Sequence, residues 1–240
     1  RAGAYCAEEA EPTREQVSAF DYTVKHKDTI AVDFAVWVAH AYRMEKRRAM
    51  EGMKLDSSGK IVPLVLYGPP DPVAWSKSYK VWKTTVVAKN HLSPEIADRY
   101  HDRVRKHAAE YPDLWPLLYQ SDVRARSEHL ARIGRRLREE KEKADANNQP
   151  HPYGPAKPFE HAWYELAVLE DRYWEKQFEK PADHIILKVA KLGDKLGGDA
   201  PVSSILRALA DAPASSTHRD AVDSDSSPPA TRQRRPKRKA

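Results

Sequence analysis

The chain has 240 residues, of which 32% are charged and 9% are aromatic, and it contains six Trp, nine Gly and one Cys. Disordered chains are poor in aromatic residues, so this composition favours a soluble helical protein. The single Cys excludes an intramolecular disulfide and a cysteine-based zinc site and fits a reducing intracellular compartment, and no apolar run approaches the roughly 20 residues of a membrane span.

The positive charge is concentrated at the C-terminus. The formal net charge is +6, and residues 232–239 contain six basic side chains and no acidic one. The rest of the chain is therefore neutral overall, which argues against a large basic field on its folded part. The six basic residues are Arg232, Arg234, Arg235, Lys237, Arg238 and Lys239.

The first part of the sequence predicts a flexible arm followed by one helix. Residues 1–27 are polar except around Val17 and Phe20, and we expect a loose arm with a turn or two of helix at most. From Asp28, a candidate N-cap, apolar residues recur at helical spacing until a Gly- and Ser-containing segment at 52–59. These apolar residues are Ile30, Phe34, Trp37, Val38, Ala41 and Met44.

Residues 61–70, with the sequence IVPLVLYGPP, are the one stretch that has the composition of a strand. Pro63 interrupts it, and the sequence offers no evident partner strand. We therefore expect an extended apolar strap that lies over the helices.

Three helices with clear start signals are predicted next. The pairs Asp71-Pro72 and Ser93-Pro94 each place a capping side chain before a proline at the first helical position. Asp113 is a candidate cap for a third, longer helix, whose apolar positions continue to Leu137. The three helices complete a predicted helical core over residues 28–140.

The composition changes after this core. Residues 141–157 are charged and then rich in Asn and Pro, which predicts a linker. A second helical unit is predicted over 158–211, with a stop or kink at Pro181 and a short helix over 185–192. Residues 212–240 are small, polar and Pro-rich and are predicted to be a disordered basic tail. The predicted fold class is all-α, an irregular bundle of about five to seven helices.

The basic run at 232–239 predicts either a nuclear import signal or an arm that binds phosphates. Import receptors read short extended runs of Lys and Arg, and each basic residue near a nucleic acid releases condensed counterions. The alternative is a solvated charged end without a partner. The predicted partners are accordingly RNA or DNA and an import receptor.

A second basic feature lies on the long helix. Its candidate phosphate-contacting residues are Arg124, Arg132, Arg135 and Arg136, within a run that also holds Arg126 and Arg138. Arginine donates in pairs to phosphates and carboxylates, and residues three or four apart share a helix face. The alternative is a solvated helix face on which these arginines pair with Glu128, Glu139 and Glu140. This alternative is favoured because the chain outside residues 232–239 has no net charge.

No pattern of catalytic residues is evident, so no enzyme activity, cofactor or metal is expected. Asp98 with His101, and His107 with Glu110, have the three-residue spacing of metal ligands in helical bundles. Such sites need matching carboxylates from other helices, which no repeat of the motif supplies. The aromatic residues recur at helical spacing and are expected to form the core rather than stack on bases.

Two segments resemble a known class of protein. They are WPLLYQSDVRARSEHLARIGRR at 115–136, after the helix that begins DPVAWSKSYKVWKT, and PFEHAWYELAVLEDRYWEKQFEKPA at 158–182. In this order, across residues 70–182, they resemble Gag-like helical segments of retroelements from protist genomes. The resemblance implies an assembly or packaging role without enzymatic activity. In such proteins a Cys/His zinc module often follows a basic stretch, and this chain has none. Because the sequence begins with Arg1, we expect a longer parent reading frame.

The leading prediction is a non-enzymatic Gag-like or nucleic-acid-associated protein, located in the nucleus. Its helices would make protein contacts, including self-association, and its tail would serve import or nucleic-acid binding. The alternative is a nuclear scaffold that touches no nucleic acid. A more distant alternative is a helical-bundle metalloenzyme.

Overall fold

The computed structural model describes residues 7–26, 34, 36–39, 49–55, 60–151 and 158–196. These residues form six helices and one β-hairpin, so the prediction of an all-α fold is confirmed. Helix α1 is Arg14–His26, α2 is Pro72–Ala88 and α3 is Pro94–Glu110. Helix α4 runs through Trp115–Arg124, a π-helical turn at Ala125–His129, and Leu130–Ala146. Helix α5 joins Pro158–Tyr164 to a π turn at Glu165–Leu169, and α6 joins Asp171–Trp174, a π turn at Glu175–Glu179, and Lys180–Leu196.

The predicted N-terminal arm contains a full helix. Thr13 and Gln16 form a reciprocal cap, in which the Thr13 amide donates to Gln16 Oε1 at 2.8 Å and the Gln16 amide donates to Thr13 Oγ1 at 3.2 Å. This is the capping-box pattern that starts α1, and it was a readable signal in the sequence. The Gln16 side chain then donates to the carbonyls of Val36 and Val38 at 3.0 and 3.1 Å, which anchors the helix.

The helix predicted from Asp28 onward was wrong wherever the structure describes it. Residues 34 and 36–39 lie in turns and irregular backbone, and Ala49–Leu55 is a strand, β1. The strap prediction was also wrong, because Ile61–Tyr67 is strand β2, antiparallel to β1 with Ala49 opposite Tyr67 and Leu55 opposite Ile61. Strand β1 has a low strand propensity, and it forms because it pairs with β2, which is rich in β-branched residues. Pro63 is tolerated in β2 because it lies at an exposed position.

The two predicted proline-led helix starts are confirmed. Asp71 Oδ1 accepts from the Ala74 amide at 2.7 Å, and Ser93 Oγ accepts from the Ile96 amide at 3.4 Å. Asp113 does not cap the third helix, because it lies in a 3-10 turn, and α4 begins after Leu114 without a side-chain cap. The predicted length of α4 was too short. Residues 141–146 of the predicted linker continue the helix and bury Ala144.

The π turn of α4 keeps one stripe of side chains on the inner face. Leu118, Asp122, Arg126 and Leu130 are all buried at a spacing of four residues. At 3.6 residues per turn such a stripe would rotate by about 40° with every step. One wider turn absorbs this drift, so all four side chains point into the bundle.

Pro181 neither stops the last helix nor starts a new one, since Lys180–Leu196 is continuous. A proline gives no amide hydrogen to the carbonyl four residues earlier, which here belongs to Gln177. The Ser121 hydroxyl of α4 lies 2.9 Å from this carbonyl and 3.0 Å from the Leu117 carbonyl of its own helix, and it has one proton to share between them. A contact between helices thus partly replaces the bond that Pro181 removes.

The core is one contiguous cluster of buried apolar side chains, and its members come from both sides of the predicted linker. It includes six tryptophans, of which four are fully buried: Trp75 and Trp82 from α2, Trp163 from α5 and Trp174 from α6. The rings of Trp82 and Trp163 are 4.7 Å apart, and the Tyr100 ring of α3 lies 5.2 Å from that of Trp163. Helices α5 and α6, as far as Val189, therefore pack into the same core as α2–α4. No helix among the described residues is long and apolar enough to cross a bilayer.

Candidate functional site

A buried carboxylate joins three helices at the centre of the bundle. Asp122 is 0% exposed, and its two oxygens accept four hydrogen bonds from three side chains. Trp75 Nε1 donates at 2.9 Å and the Tyr100 hydroxyl at 2.8 Å. Arg126 donates from Nε at 3.0 Å and from Nη2 at 2.6 Å. All the strong acceptor directions of this carboxylate are therefore used inside the protein.

Arg126 completes this centre and is itself 1% exposed. Its guanidinium lies 4.0 Å from the centre of the Phe34 ring, so a cation–π contact covers one face. Burial works to lower the pKa of Arg126, but the charge and hydrogen bonds of Asp122 leave that pKa raised. The pair is closed to solvent, and its geometry suits a structural centre. Although Arg126 belongs to the predicted arginine run, it points inward.

The four candidate phosphate-contacting arginines of α4 differ in their surroundings. Arg124 and Arg135 are exposed and form no salt bridge with the described residues. Arg132 lies 3.8 Å from Glu128, with both side chains well exposed. Arg136 contacts Glu140 at 3.7 Å and donates to Glu165 of α5. Arg136 is thus paired between helices although its side chain is 51% exposed, and the other exposed arginines of this surface are Arg124, Arg132, Arg135 and the nearby Arg138.

Ser76 and His101 form a hydrogen-bonded pair that the sequence did not reveal. Ser76 Oγ of α2 is 2.6 Å from His101 Nε2 of α3, and the imidazole stacks on Trp75 at 5.5 Å. Burial lowers the pKa of His101, so the imidazole is neutral at pH 7. His101 Nδ1 is 3.6 Å from the exposed Asp102, longer than a hydrogen bond. Among the residues that the structure describes, the pair has no firmly held third member of the kind that activates a serine nucleophile.

The two histidine–carboxylate pairs noted in the sequence make different contacts in the structure. His101 bonds Ser76, while Asp98 bonds Lys83 at 2.5 Å, so these two side chains serve different contacts. His107 Nδ1 instead lies 3.8 Å from Glu110 and 3.8 Å from Glu179 of α6. As the described side chains stand, no three His, Cys, Asp or Glu residues are close enough to hold a metal ion.

The basic residues 232–239, the predicted tail 212–240 and most of the predicted helix after Asp28 lie outside the described residues. Within the described part, the fold and its sites define an all-α protein with a sealed ion pair and an arginine-bearing outer surface on α4. No protein-family model, no curated protein and no solved structure matches the chain.

Proposed function

We propose that this chain is a non-enzymatic, nucleic-acid-associated helical protein of the Gag-like kind that its sequence resembles. The helical bundle would make protein contacts, including contacts with other copies. The basic tail would supply most of the attraction to RNA or DNA. The same tail would direct the protein to the nucleus.

The observation that carries this proposal is the state of the arginines on α4. Arg124, Arg135 and Arg138 are exposed and have no salt bridge with the described residues. An unpaired guanidinium offers two parallel donors to a phosphate without first breaking an ion pair. A surface with such groups can add phosphate contacts to those of a flexible basic tail.

The test compares two triple variants of equal charge. Replacing Arg124, Arg135 and Arg138 by Gln removes three exposed cations of α4. Replacing Arg99, Arg105 and Arg172 by Gln removes three exposed cations from other helices, none of which forms a salt bridge with the described residues. Affinity is measured by fluorescence anisotropy with labelled single-stranded RNA and double-stranded DNA.

The α4 variant is expected to lower affinity by about tenfold and to reduce the salt slope on DNA by about 2 to 3, since each phosphate contact contributes about 0.9. The control variant is expected to bind nearly as the unaltered chain does. Equal losses in the two variants would show that only net charge matters and would remove α4 from the proposal.

The second candidate is a nuclear scaffold without nucleic-acid contact. It is favoured by the pairing of Arg132 with Glu128 and of Arg136 with Glu140 and Glu165, which neutralises part of the α4 surface. Under this alternative, deletion of residues 232–239 would move the protein to the cytoplasm. The purified full chain would nevertheless leave RNA and DNA probes unshifted in a binding gel.

A further inference from the structure

Helix α6 has an exposed apolar side as well as a buried one. Ala182, Ile185 and Val189 lie in the core, at exposures of 0%, 1% and 8%. On the other side of the helix Leu187 is 60% exposed, and its neighbour Ile186 is 46% exposed. At about 100° per residue, Leu187 lies nearly opposite Ile185 and Val189. Within the described part of the chain, the Leu187 side of α6 therefore faces solvent.

Charges of opposite sign border this apolar side. Asp183 lies four residues before Leu187 and Lys191 lies four residues after it, and both charged side chains are exposed. Residues four apart are neighbours on a helix surface, so the three side chains form one stripe along α6. Lys191 forms no salt bridge with a side chain that the structure describes.

We propose that α6 is the surface through which two copies of this chain associate, as an antiparallel pair of helices centred on Leu187. This inference rests on the proposed contacts between copies and names the surface that makes them. The pairing is isologous, so the two Leu187 side chains meet at the two-fold axis. It removes from water the apolar side chains that α6 exposes.

The charge pattern sets the direction of the pairing. In an antiparallel pair centred on Leu187, Asp183 of one copy lies level with Lys191 of the other, about 6 Å along the helix from Leu187. Two such ion pairs form, one on either side of the axis. A parallel pair would place each charge beside its own copy, and like charges in contact oppose association. The α6 surface is therefore complementary to itself in the antiparallel direction.

The Asp183 carboxylate is already held in place. The Tyr111 hydroxyl donates to Asp183 Oδ1 at 3.0 Å, while Oδ2 accepts no hydrogen bond from a side chain that the structure describes. Oδ2 can therefore accept from Lys191 of a second copy. Since the carboxylate is ordered beforehand, less side-chain freedom is lost on association.

Side-chain size also suits the antiparallel pair. Ala190 is exposed three residues after Leu187, and His184 is exposed three residues before it. In the pair, Ala190 of one copy lies level with His184 of the other. The small methyl group leaves room for the imidazole, so the helices can approach to the usual interaxial distance of about 8 to 10 Å.

The contact is expected to be weak. Only one helix from each copy takes part, so the buried area is smaller than the roughly 1,200 Å² of stable interfaces, and we expect a dissociation constant on the order of 100 µM. The test is sedimentation equilibrium of the full chain, freed of nucleic acid, at concentrations from about 10 to 500 µM, which bracket this value.

The unaltered chain is expected to dimerise in this range. Leu187→Glu is expected to raise the dissociation constant by about tenfold or more, because it places a charge at the centre of the contact. The matched control is Leu169→Glu, since Leu169 of α5 is also 60% exposed. The control should dimerise as the unaltered chain does.

An exchange of charges tests the direction of the pairing. Asp183→Lys and Lys191→Asp each bring like charges together, and each should weaken the dimer by about tenfold. The double variant restores opposite charges and should recover the dimer. All these side chains are exposed, so the variants should keep the helical fold, as circular dichroism checks. Damage to the fold by one substitution would not be repaired by the other.

The proposal is overturned if the full chain stays monomeric, if Leu169→Glu weakens the dimer as much as Leu187→Glu, or if the double variant does not recover it. A dimer that every α6 variant retains would also overturn it, while leaving self-association through another surface. An intact α6 dimer that binds no RNA or DNA would contradict the proposed function and leave this inference standing.

Discussion

Asp122 and Arg126 form an ion pair one helical turn apart in which neither side chain reaches solvent, with exposures of 0% and 1%. Two further donors, Trp75 from α2 and Tyr100 from α3, bond the same carboxylate. The pair therefore ties α2, α3 and α4 together through a single acceptor group. The pair matters for stability because both charges are fully paired, and a buried charge that loses its partner strongly destabilises the fold.

Breaking this pair should be far more destabilising than breaking an exposed pair of the same spacing. Asp122→Ala leaves the Arg126 guanidinium buried and unpaired, and we expect it to lower the free energy of unfolding by about 3 to 5 kcal/mol. Glu128→Ala breaks the exposed pair with Arg132, whose side chains are 62% and 65% exposed, and should cost at most about 1 kcal/mol. Urea unfolding followed by circular dichroism measures both, and similar losses would contradict the structural role of Asp122.

The Ser121–Gln177 contact predicts an interaction between two distant substitutions. Ser121→Ala leaves the Gln177 carbonyl without the hydroxyl that bonds it at 2.9 Å, at an expected cost of about 1 to 2 kcal/mol. Pro181→Ala restores an amide that can bond the same carbonyl within α6. In a double-mutant cycle, the loss from Ser121→Ala should therefore be smaller when residue 181 is Ala. Strictly additive effects would show that the Ser121 hydroxyl and the amide that Pro181→Ala introduces do not compete for the Gln177 carbonyl.

Two glycine substitutions should change stability in opposite directions. A Cβ at Gly68 would overlap the hydroxyl and ring of Tyr119, so Gly68→Ala should destabilise by about 1 to 3 kcal/mol. A Cβ at Gly134 in α4 would meet no atom within 4 Å, and Gly134→Ala should stabilise by about 0.5 to 1 kcal/mol through helix propensity. Thermal unfolding of the two variants reports the signs, and a stabilising Gly68→Ala would mean that the β2–α4 approach is looser than described.

Buried tyrosines should make the protein sensitive to alkali. Burial raises the pKa of Tyr79 and Tyr100 well above the usual value, and the charge of Asp122 raises both further. Above pH about 10 the unfolded chain loses these protons while the folded chain keeps them, so stability falls as the pH rises. Tyrosinate absorbance should show an early group of exposed tyrosines and a later group that ionises only on unfolding. A single early transition of all eleven tyrosines without unfolding would contradict this burial.

The sequence was most informative where the determining interactions are local. The starts of α2 and α3 follow from Asp71-Pro72 and Ser93-Pro94, since a cap and its helix lie within a few residues. The start of α1 is equally local, because Thr13 and Gln16 form a capping box, although the polar composition of residues 1–27 predicts a loose arm. The four candidate arginines of α4 are exposed, whereas Arg126 of the same run is buried.

The remaining features depend on contacts that are distant in the chain. Strand β1 has a weak strand composition and forms because β2 pairs with it. Arg126 points inward because the π turn changes the phase of α4, which a regular period of 3.6 residues does not anticipate. Glu179 approaches His107 only when α6 packs on α3, so the pairing of these residues was invisible in either segment alone.

The proposed role in nucleic-acid binding is tested most directly by the salt dependence of affinity. We would measure anisotropy of a labelled DNA duplex from low to physiological salt with the full chain and with a variant in which the basic residues of 232–239 are Gln. The full chain should bind with a steep slope of log affinity against log salt, down to about −8 if the six basic residues of the tail and the three arginines of α4 each contact a phosphate, and the variant should lose about 5 of that slope. Unchanged affinity and slope in the variant, or no binding by the full chain, would contradict the proposed function.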